Sequence, residues 1–354
     1  MNHPQRVLIT GHKGYIGSVL TPIFVRAGHE VVGLDTGYFA DCTLIPDPIE
    51  VPALQKDIRN VEPADLRGFD AIVHLAALSN DPIGNLNDAW TGEINHQASV
   101  RLAEMGRAAG VKRLLFSSSC IMYGMSELSE VNEDCPLHPQ TEYARSKVAA
   151  EHDIREIAAD GFSPVYLRNG TIYGISPRMR FDTVFNDFMA AAVCTGKIMV
   201  HSDGTPWRPV IHVEDVARAF LRVLEAKAEQ IHNRAFNIGA NDLNYQVGAL
   251  AAIAAESVAG CTLSVTANPG ADQRTYRCDF SRFADTFPDF AFQWNARKAA
   301  PVMRDTLRTL GVTTAVWKDP RFTRLLWLRQ LMQGHHVDDN LRWTAEAGVA
   351  AAAR

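Results

Sequence analysis

The chain has 354 residues, room for one large domain or two smaller ones around a real core. Apolar residues make up 47% and charged residues 21%, the balance of an ordinary globular protein. A net charge of −5 supplies no basic excess, which argues against a nucleic-acid or membrane surface as partner.

In chain order, residues 7–10 read as a buried strand and residues 15–27 as a helix that stops at Gly28. A second strand spans 31–35 and ends on Asp35, and a third spans 71–75. Helical spacing follows over about 95–109, then a strand at 113–116, a long helix at 143–159 and a strand at 164–167. Continuous apolar strands alternating with helices predict the α/β class, with a doubly wound parallel sheet covered on both faces. Further on, 181–193 and 214–226 read as helices, 210–213 as extended chain, and 236–238 as a strand returning to the main sheet. Residues 247–256 are Ala-rich and helical, and the tail from about Trp317 is helical with many Arg and Trp residues.

No repeat, low-complexity tract or linker divides the chain, so a smaller C-terminal lobe is expected to interleave with the first domain. The expected division is 1–170 as the nucleotide-binding domain, rejoined by about 205–240. Residues 171–204 and 241–315 form the substrate-binding lobe, and 316–354 a helical C-terminal extension. Residues 1–6 carry no apolar signal-peptide core, and no stretch approaches the roughly 18 apolar residues of a membrane span, so a cytoplasmic protein is expected. Cys42, Cys120, Cys135, Cys194, Cys261 and Cys278 share no C-x-x-C spacing. They read as free thiols, with neither a metal site nor a disulfide framework.

Between the first strand and the first helix, Gly11, Gly14 and Gly17 are spaced G-x-x-G-x-x-G, enclosing Tyr15 and Ile16. Glycine permits the tight turn, lets backbone approach a diphosphate, and lets helix pack closely on strand. The helix amino terminus then offers free N–H groups and a positive dipole end to phosphates. Asp35 closes the second strand 18 residues after Gly17, where a carboxylate can accept from both ribose hydroxyls of NAD and repel the 2′-phosphate of NADP. No Arg or Lys follows in Thr36-Gly37-Tyr38. The pattern is that of a Rossmann dinucleotide site favouring NAD.

Tyr143 and Lys147 stand four residues apart on one helix face, and Ser117-Ser118-Ser119 follows a buried strand. A tyrosine serves as acid or base near neutrality only if its pKa falls from about 10. A neighbouring ammonium stabilises the phenolate and lowers it. A serine hydroxyl at the same site can bond the substrate oxygen and relay a proton, so Ser119, Tyr143 and Lys147 together suit proton removal from an alcohol coupled to hydride transfer.

With these motifs the chain resembles the extended short-chain dehydrogenases/reductases, in the NAD-dependent nucleotide-sugar epimerase/dehydratase family. The resemblance covers roughly residues 5–315. It rests on T-G-x-x-G-x-I-G, Asp57-Ile58, Leu75-Ala76-Ala77, Ser117 to Gly124, Tyr143 with Lys147, and Arg208 to Asp215. It implies that Asp57 and Ile58 flank the adenine, that Leu75, Ala76, Ala77 and Ser117 line the strand ends beside the cofactor, and that Asn95 organises that region. It implies that Arg208 reaches the nucleotide diphosphate of the sugar substrate, and that Asp272, Arg274 and Tyr276 close over nucleotide and sugar. Thr171 occupies a place where relatives often carry an Asn that touches substrate. Arg178 and Arg180 follow in a loop where they would hold an anionic group, such as a uronate or phosphate, or else lie solvated at the surface. The resemblance also implies a homodimer through two long helices, and no metal.

The reaction divides on the segment Ser119 to Gly124. Sugar 4,6-dehydratases resemble T-D-E-x-Y-G there and need both carboxylates to eliminate water, whereas this chain has Cys120 and Ile121. Reductase/3,5-epimerases place a Cys where Ile121 stands. Cys120 is one residue earlier, on the opposite face of an extended segment, and reads as core packing or a pocket wall. What remains is oxidation at one alcohol, C4 of a nucleotide-activated sugar. A 4-epimerase is favoured, with a C4-dehydrogenase or 4-ketoreductase as the alternative using the same residues. A protein binding NAD without catalysis would tend to lose the Tyr or Lys that this chain keeps.

Overall fold

A computed structural model describes residues 3–79, 87–125, 130–266 and 274–345. Seven strands form one parallel sheet: β1 (Arg6–Thr10), β2 (Glu30–Asp35), β3 (Ala53–Gln55), β4 (Ala71–His74), β5 (Arg113–Ser119), β6 (Ser163–Asn169) and β10 (Arg234–Ile238). Their order is β10-β6-β5-β4-β1-β2-β3. The period of two along β1 explains why both faces are apolar. Val7 and Ile9 pack with Leu20 and Phe24 of α1 (Gly17–Arg26) and with Val216 and Phe220 of the later helix Val213–Leu224. Leu8 packs on the other face with Leu102 of α2 (Ala98–Ala108) and Ile154 of α3 (Glu142–Ile157). The order reverses between β1 and β4, so the chain leaves their carboxyl ends toward opposite sides of the sheet and a crevice opens there.

The second lobe begins where β6 ends. Gly170 joins Asn169 to β7 (Thr171–Tyr173), and a Cβ at Gly170 would lie 3.0 Å from the Pro209 carbonyl oxygen. Of the stretch about 205–240, expected to rejoin the first domain, the strand at 234–238 enters the main sheet and the helix Val213–Leu224 packs on it, while the part before them does not. The extended segment is β9 (Trp207–His212), which pairs with β7 and β11 (Asn244–Gln246) in a separate three-stranded sheet. Within that stretch β10 is the strand that joins the main sheet, beside β6, with Phe236 and Ile238 buried in its cluster; β9 divides its apolar residues, Val210 to the lobe core and Ile211 to the main-sheet cluster. β8 (Lys197–Val200) and β12 (Thr262–Val265) form a parallel pair. Three helices make the lobe core: α4 (Val184–Thr195), α6 (Val247–Glu256) and α7 (Ala296–Thr309), with α5 (Val213–Leu224) given to the main sheet. Phe185, Met189, Leu250, Met303 and Leu307 are buried among them.

The tail is only partly helical. After a short turn at Thr314–Trp317, Phe322 packs against Phe181 in the lobe core. α8 (Arg324–Gln333) then crosses to the other domain, where Leu328, Leu331, Val337 and Leu341 join the cluster that holds Leu34, Ile58 and Ile94. Among the described residues no helix is long and apolar enough to cross a membrane.

One buried ion pair fixes α3 to the sheet. Arg168 on β6 donates from Nε to Glu151 Oε1 at 3.0 Å and from Nη2 to Glu151 Oε2 at 2.7 Å, with both side chains buried. Its Nη1 also donates to the Tyr123 hydroxyl at 3.1 Å. Removing one partner strands the other charge, so Arg168→Met is expected to lower unfolding stability by about 3–5 kcal/mol. Urea unfolding checks this, and a loss in the range of a surface pair, below about 1 kcal/mol, contradicts it.

Candidate active site

A cavity of about 620 Å³ occupies the crevice and runs from the end of β2 to the second lobe, a size suited to a large organic ligand. Its floor is the glycine turn. Gly11 adopts φ +78°, and a Cβ there would lie 2.8 Å from the Ala76 backbone nitrogen. A Cβ at Gly17 would strike the Gly11 carbonyl oxygen, so both positions exclude any side chain. Among the described residues the backbone N–H groups of Tyr15 and Ile16, just before α1, have no acceptor. The Tyr15 hydroxyl donates to the Gly174 carbonyl oxygen at 2.7 Å and accepts from Asn186 Nδ2 at 3.0 Å, which ties the turn to the second lobe.

Gly11, Gly14, Tyr15, Ile16 and Gly17 all line this cavity, together with Asp35, Asp57, Ile58, Leu75, Ala76, Ala77 and Ser117. The Asp35 carboxylate is oriented by the backbone N–H groups of Lys13, at 3.1 Å, and Gly37, at 2.8 Å. Asp57 is held by Arg59, whose Nη2 lies 2.6 Å from Oδ2. Asn95 is placed differently from the expectation of a cofactor contact. It is fully buried behind the wall, accepts from the Leu78 N–H at 2.8 Å, and donates to the Leu78 carbonyl at 3.0 Å and to Ser146 at 3.3 Å. It clamps the loop after β4 to α3, a role set by its site in a π-helical turn, Gly92–Gln97.

Ser119, Tyr143 and Lys147 line the same cavity. Thr141 caps α3 by accepting from the Ala144 N–H at 3.2 Å, which starts the helix one residue before Tyr143. The Lys147 ammonium donates to the Ser117 carbonyl at 2.8 Å and lies 5.9 Å from the Tyr143 ring centre. Burial pushes its pKa down to about 7, against a smaller upward pull from Glu151. Behind it His74 is sandwiched between Thr10 and Ser99, and burial followed by the Lys147 charge drops it to about 3, so it is a neutral hydrogen-bonding spacer. Ile121 faces the cavity. Cys120 is wholly buried on the other side, with Sγ 3.1 Å from the Arg168 carbonyl oxygen, in a cluster with Tyr123, Tyr276 and Cys278.

Toward the second lobe the wall carries Thr171, Arg180, Arg208, Arg274 and Tyr276. Asp272 lies outside the described residues. Arg208 donates to the carbonyl oxygens of Trp207, at 2.9 Å, and of Arg274. Arg180 pairs with Asp182 at 2.8 Å and donates to Ser79 Oγ at 3.1 Å. Arg178 departs from the expectation of a substrate contact. It is turned off the cavity wall and pairs with Asp47 at 2.8 Å, a carboxylate that also takes Lys13 at 3.3 Å. Sequence reasoning missed Tyr38, Phe39, Asp182 and Arg324, which also line the cavity. Asp182, two residues beyond Arg180, was within reach of local pattern; Arg324 was not, since its contact with Arg178 spans 146 positions.

Comparisons agree with this geometry. The NAD dependent epimerase/dehydratase family pattern matches residues 7–239. The chain is 28% identical over 255 residues to a UDP-glucose 4-epimerase of Corynebacterium glutamicum, covering 67% of this chain and 76% of that protein. It is 30% identical over 249 residues to a UDP-glucose 4-epimerase of Streptomyces lividans, covering 64% and 74%. The solved structure of MoeE5 in complex with UDP-glucuronic acid and NAD superposes with a TM-score of 0.75 at 26% identity, covering 86% of this chain and 99% of that one.

The depressed Lys147 pKa has a consequence for stability. Folded, the amine loses its proton near 7; unfolded, it keeps it to about 10.4. Between those values folding releases a proton, so this group's contribution improves as pH rises, by up to about 1.4 kcal/mol per unit. Urea unfolding of nucleotide-free protein from about pH 7 to about pH 10 should show wild type gaining on Lys147→Met. A difference that stays constant with pH contradicts the shift.

Proposed function

The chain belongs to the NAD dependent epimerase/dehydratase family, and we propose that within it this protein is a nucleotide-sugar 4-epimerase. The observation that carries this reading is the gathering of Ser119, Tyr143 and Lys147 on one cavity wall beside the glycine turn, with Ile121 where elimination would need a carboxylate. Its relatives of similar sequence, named UDP-glucose 4-epimerases, support it. The residues present also fit the cofactor: a turn closed to side chains, two free backbone N–H groups and a fixed carboxylate at Asp35.

In this reading Tyr143 takes the proton from the C4 hydroxyl, and Ser119 bonds the same oxygen. Lys147, held on the Ser117 carbonyl and poised near neutrality, carries the positive charge that the phenolate needs. NAD, when bound, accepts a hydride from C4 and returns it. The 4-keto sugar turns over within the cavity, so the hydroxyl is rebuilt on the other face and Tyr143 gives the proton back. Gly11, Gly14, Tyr15, Ile16, Gly17, Asp35, Asp57, Ile58, Leu75, Ala76, Ala77 and Ser117 hold the cofactor, while Asn95 positions the loop after β4. Thr171, Arg208, Asp272, Arg274 and Tyr276 hold the nucleotide-sugar.

Arg180 favours a narrower reading of the substrate. It lines the cavity within electrostatic range of Tyr143, where a carboxylate on the sugar would meet it, and MoeE5 was solved with UDP-glucuronic acid. A homodimer and a cytoplasmic setting belong to the same proposal, and sedimentation equilibrium tests the first.

Tyr143→Phe is expected to cut turnover at least about 100-fold while leaving NAD affinity unchanged. Retention of more than about a tenth of wild-type turnover rejects the role. Incubation with UDP-glucose and UDP-glucuronic acid is expected to give the C4 epimer of one of them with no net change in reduced nicotinamide. Stoichiometric NADH release or consumption would establish a dehydrogenase or ketoreductase instead.

A further inference from the structure

The tail lies along one edge of the cofactor cavity. Trp327 Nε1 donates to the Tyr38 carbonyl at 2.6 Å, Trp343 Nε1 to the Thr36 carbonyl at 2.6 Å, and Arg59 Nη1 to the Asn340 carbonyl at 2.8 Å. These partners follow Asp35 and Asp57, so the tail backs the adenosine end. At its start, Arg324 enters the cavity wall with its side chain almost fully buried, at 3% exposure. Its backbone N–H donates to Asp182 at 3.2 Å, its guanidinium lies 4.4 Å from the Phe39 ring centre, and Nη2 donates to the Arg178 carbonyl at 2.8 Å.

A buried guanidinium normally finds a carboxylate. Among the described residues Arg324 has none at ion-pair distance; its side chain meets the carbonyl oxygens of Arg178 and Arg321. Nearby Asp182 is committed to Arg180. Burial, and then the neighbouring Arg180 charge, push the Arg324 pKa down to about 10, against smaller upward pulls from Cys42 and Asp182. Arg324 stands between Phe39, on the adenosine side, and Arg180, on the side of Tyr143, and Tyr15 of the glycine turn feels its field. The part of a dinucleotide that joins its two halves is its diphosphate.

We propose that Arg324, delivered by the C-terminal tail, binds the diphosphate of the bound dinucleotide opposite the glycine turn. The ligand then supplies the anion that the protein withholds. This rests on the NAD dependence of the family and is independent of which sugar is turned over.

The test is calorimetric titration of the full chain, freed of nucleotide, with ADP, adenosine and UDP. Charge-assisted hydrogen bonds of this type contribute about 10- to 100-fold in affinity. Arg324→Gln keeps a donor for the carbonyl oxygens, and it should weaken ADP by that factor and adenosine by less than about threefold. UDP affinity should be unchanged, and the NAD content of the protein as isolated should fall. Equal losses for ADP and adenosine would make Arg324 a structural wall and overturn the proposal. A loss confined to UDP would assign it to the substrate and overturn it equally. If Arg324→Gln does not fold, Arg324→Lys serves: it keeps the charge but not the planar fork, so ADP should weaken at least about threefold, and unchanged ADP affinity refutes the assignment.

Discussion

The turn after β1 approaches the turn after β4 so closely that Gly11 has no room for a Cβ, and it folds back on itself so tightly that Gly17 has none either. That contact brings three things to one point: the amino terminus of α1, the exit of β4 at Leu75-Ala76, and the mouth between strands where the sheet order reverses. Everything else in the crevice is placed relative to it. Asn95 secures the loop after β4 from behind, and Tyr15 reaches from the turn to Gly174 in the second lobe. The lobe therefore takes its position from the same few ångströms of backbone that exclude side chains from the cofactor floor.

The helix that carries Tyr143 and Lys147 is positioned by charge rather than by apolar packing alone. Glu151 sits one turn beyond Lys147 and is locked to Arg168 on β6, which in turn holds Tyr123. Lys147 is thus buried near a carboxylate whose charge is already balanced, and desolvation prevails over attraction. A lysine in that state gains or loses its proton easily, as a phenol partner requires.

Much of this was legible because it is local. The glycine spacing, Asp35 at a strand end, and the Tyr143–Lys147 pair each lie within one element or one turn, so periodicity and spacing expose them. Cys120 is buried and Ile121 lines the cavity, but not through the alternation expected of extended chain: Cys120–Tyr123 is a short 3-10 turn capped by Ser119, and it is that turn that separates the two side chains. What escaped is long-range. Arg178 looked like a ligand for anions, yet Asp47 takes its charge across 131 positions. β9 has the apolar character of a main-sheet strand, but its partners β7 and β11 are chosen by tertiary packing. The tail carries no motif at all. Its Arg and Trp side chains find backbone carbonyls near Asp35 and in the Arg178 loop, and nothing in local pattern signals such acceptors.

The tail is also the part of this wall that comes last in chain order. Synthesis delivers β1 and the glycine turn first and residues 324–343 only after every strand of both lobes has been made. The sheet can therefore close around its apolar core while one edge of the crevice is still open to solvent. Trp327, Trp343 and Leu341 close that edge through hydrogen bonds with Tyr38 and Thr36. Opening that edge again means breaking these hydrogen bonds and exposing Leu328, Leu331, Val337 and Leu341, so exchange through it carries the cost of undocking the tail.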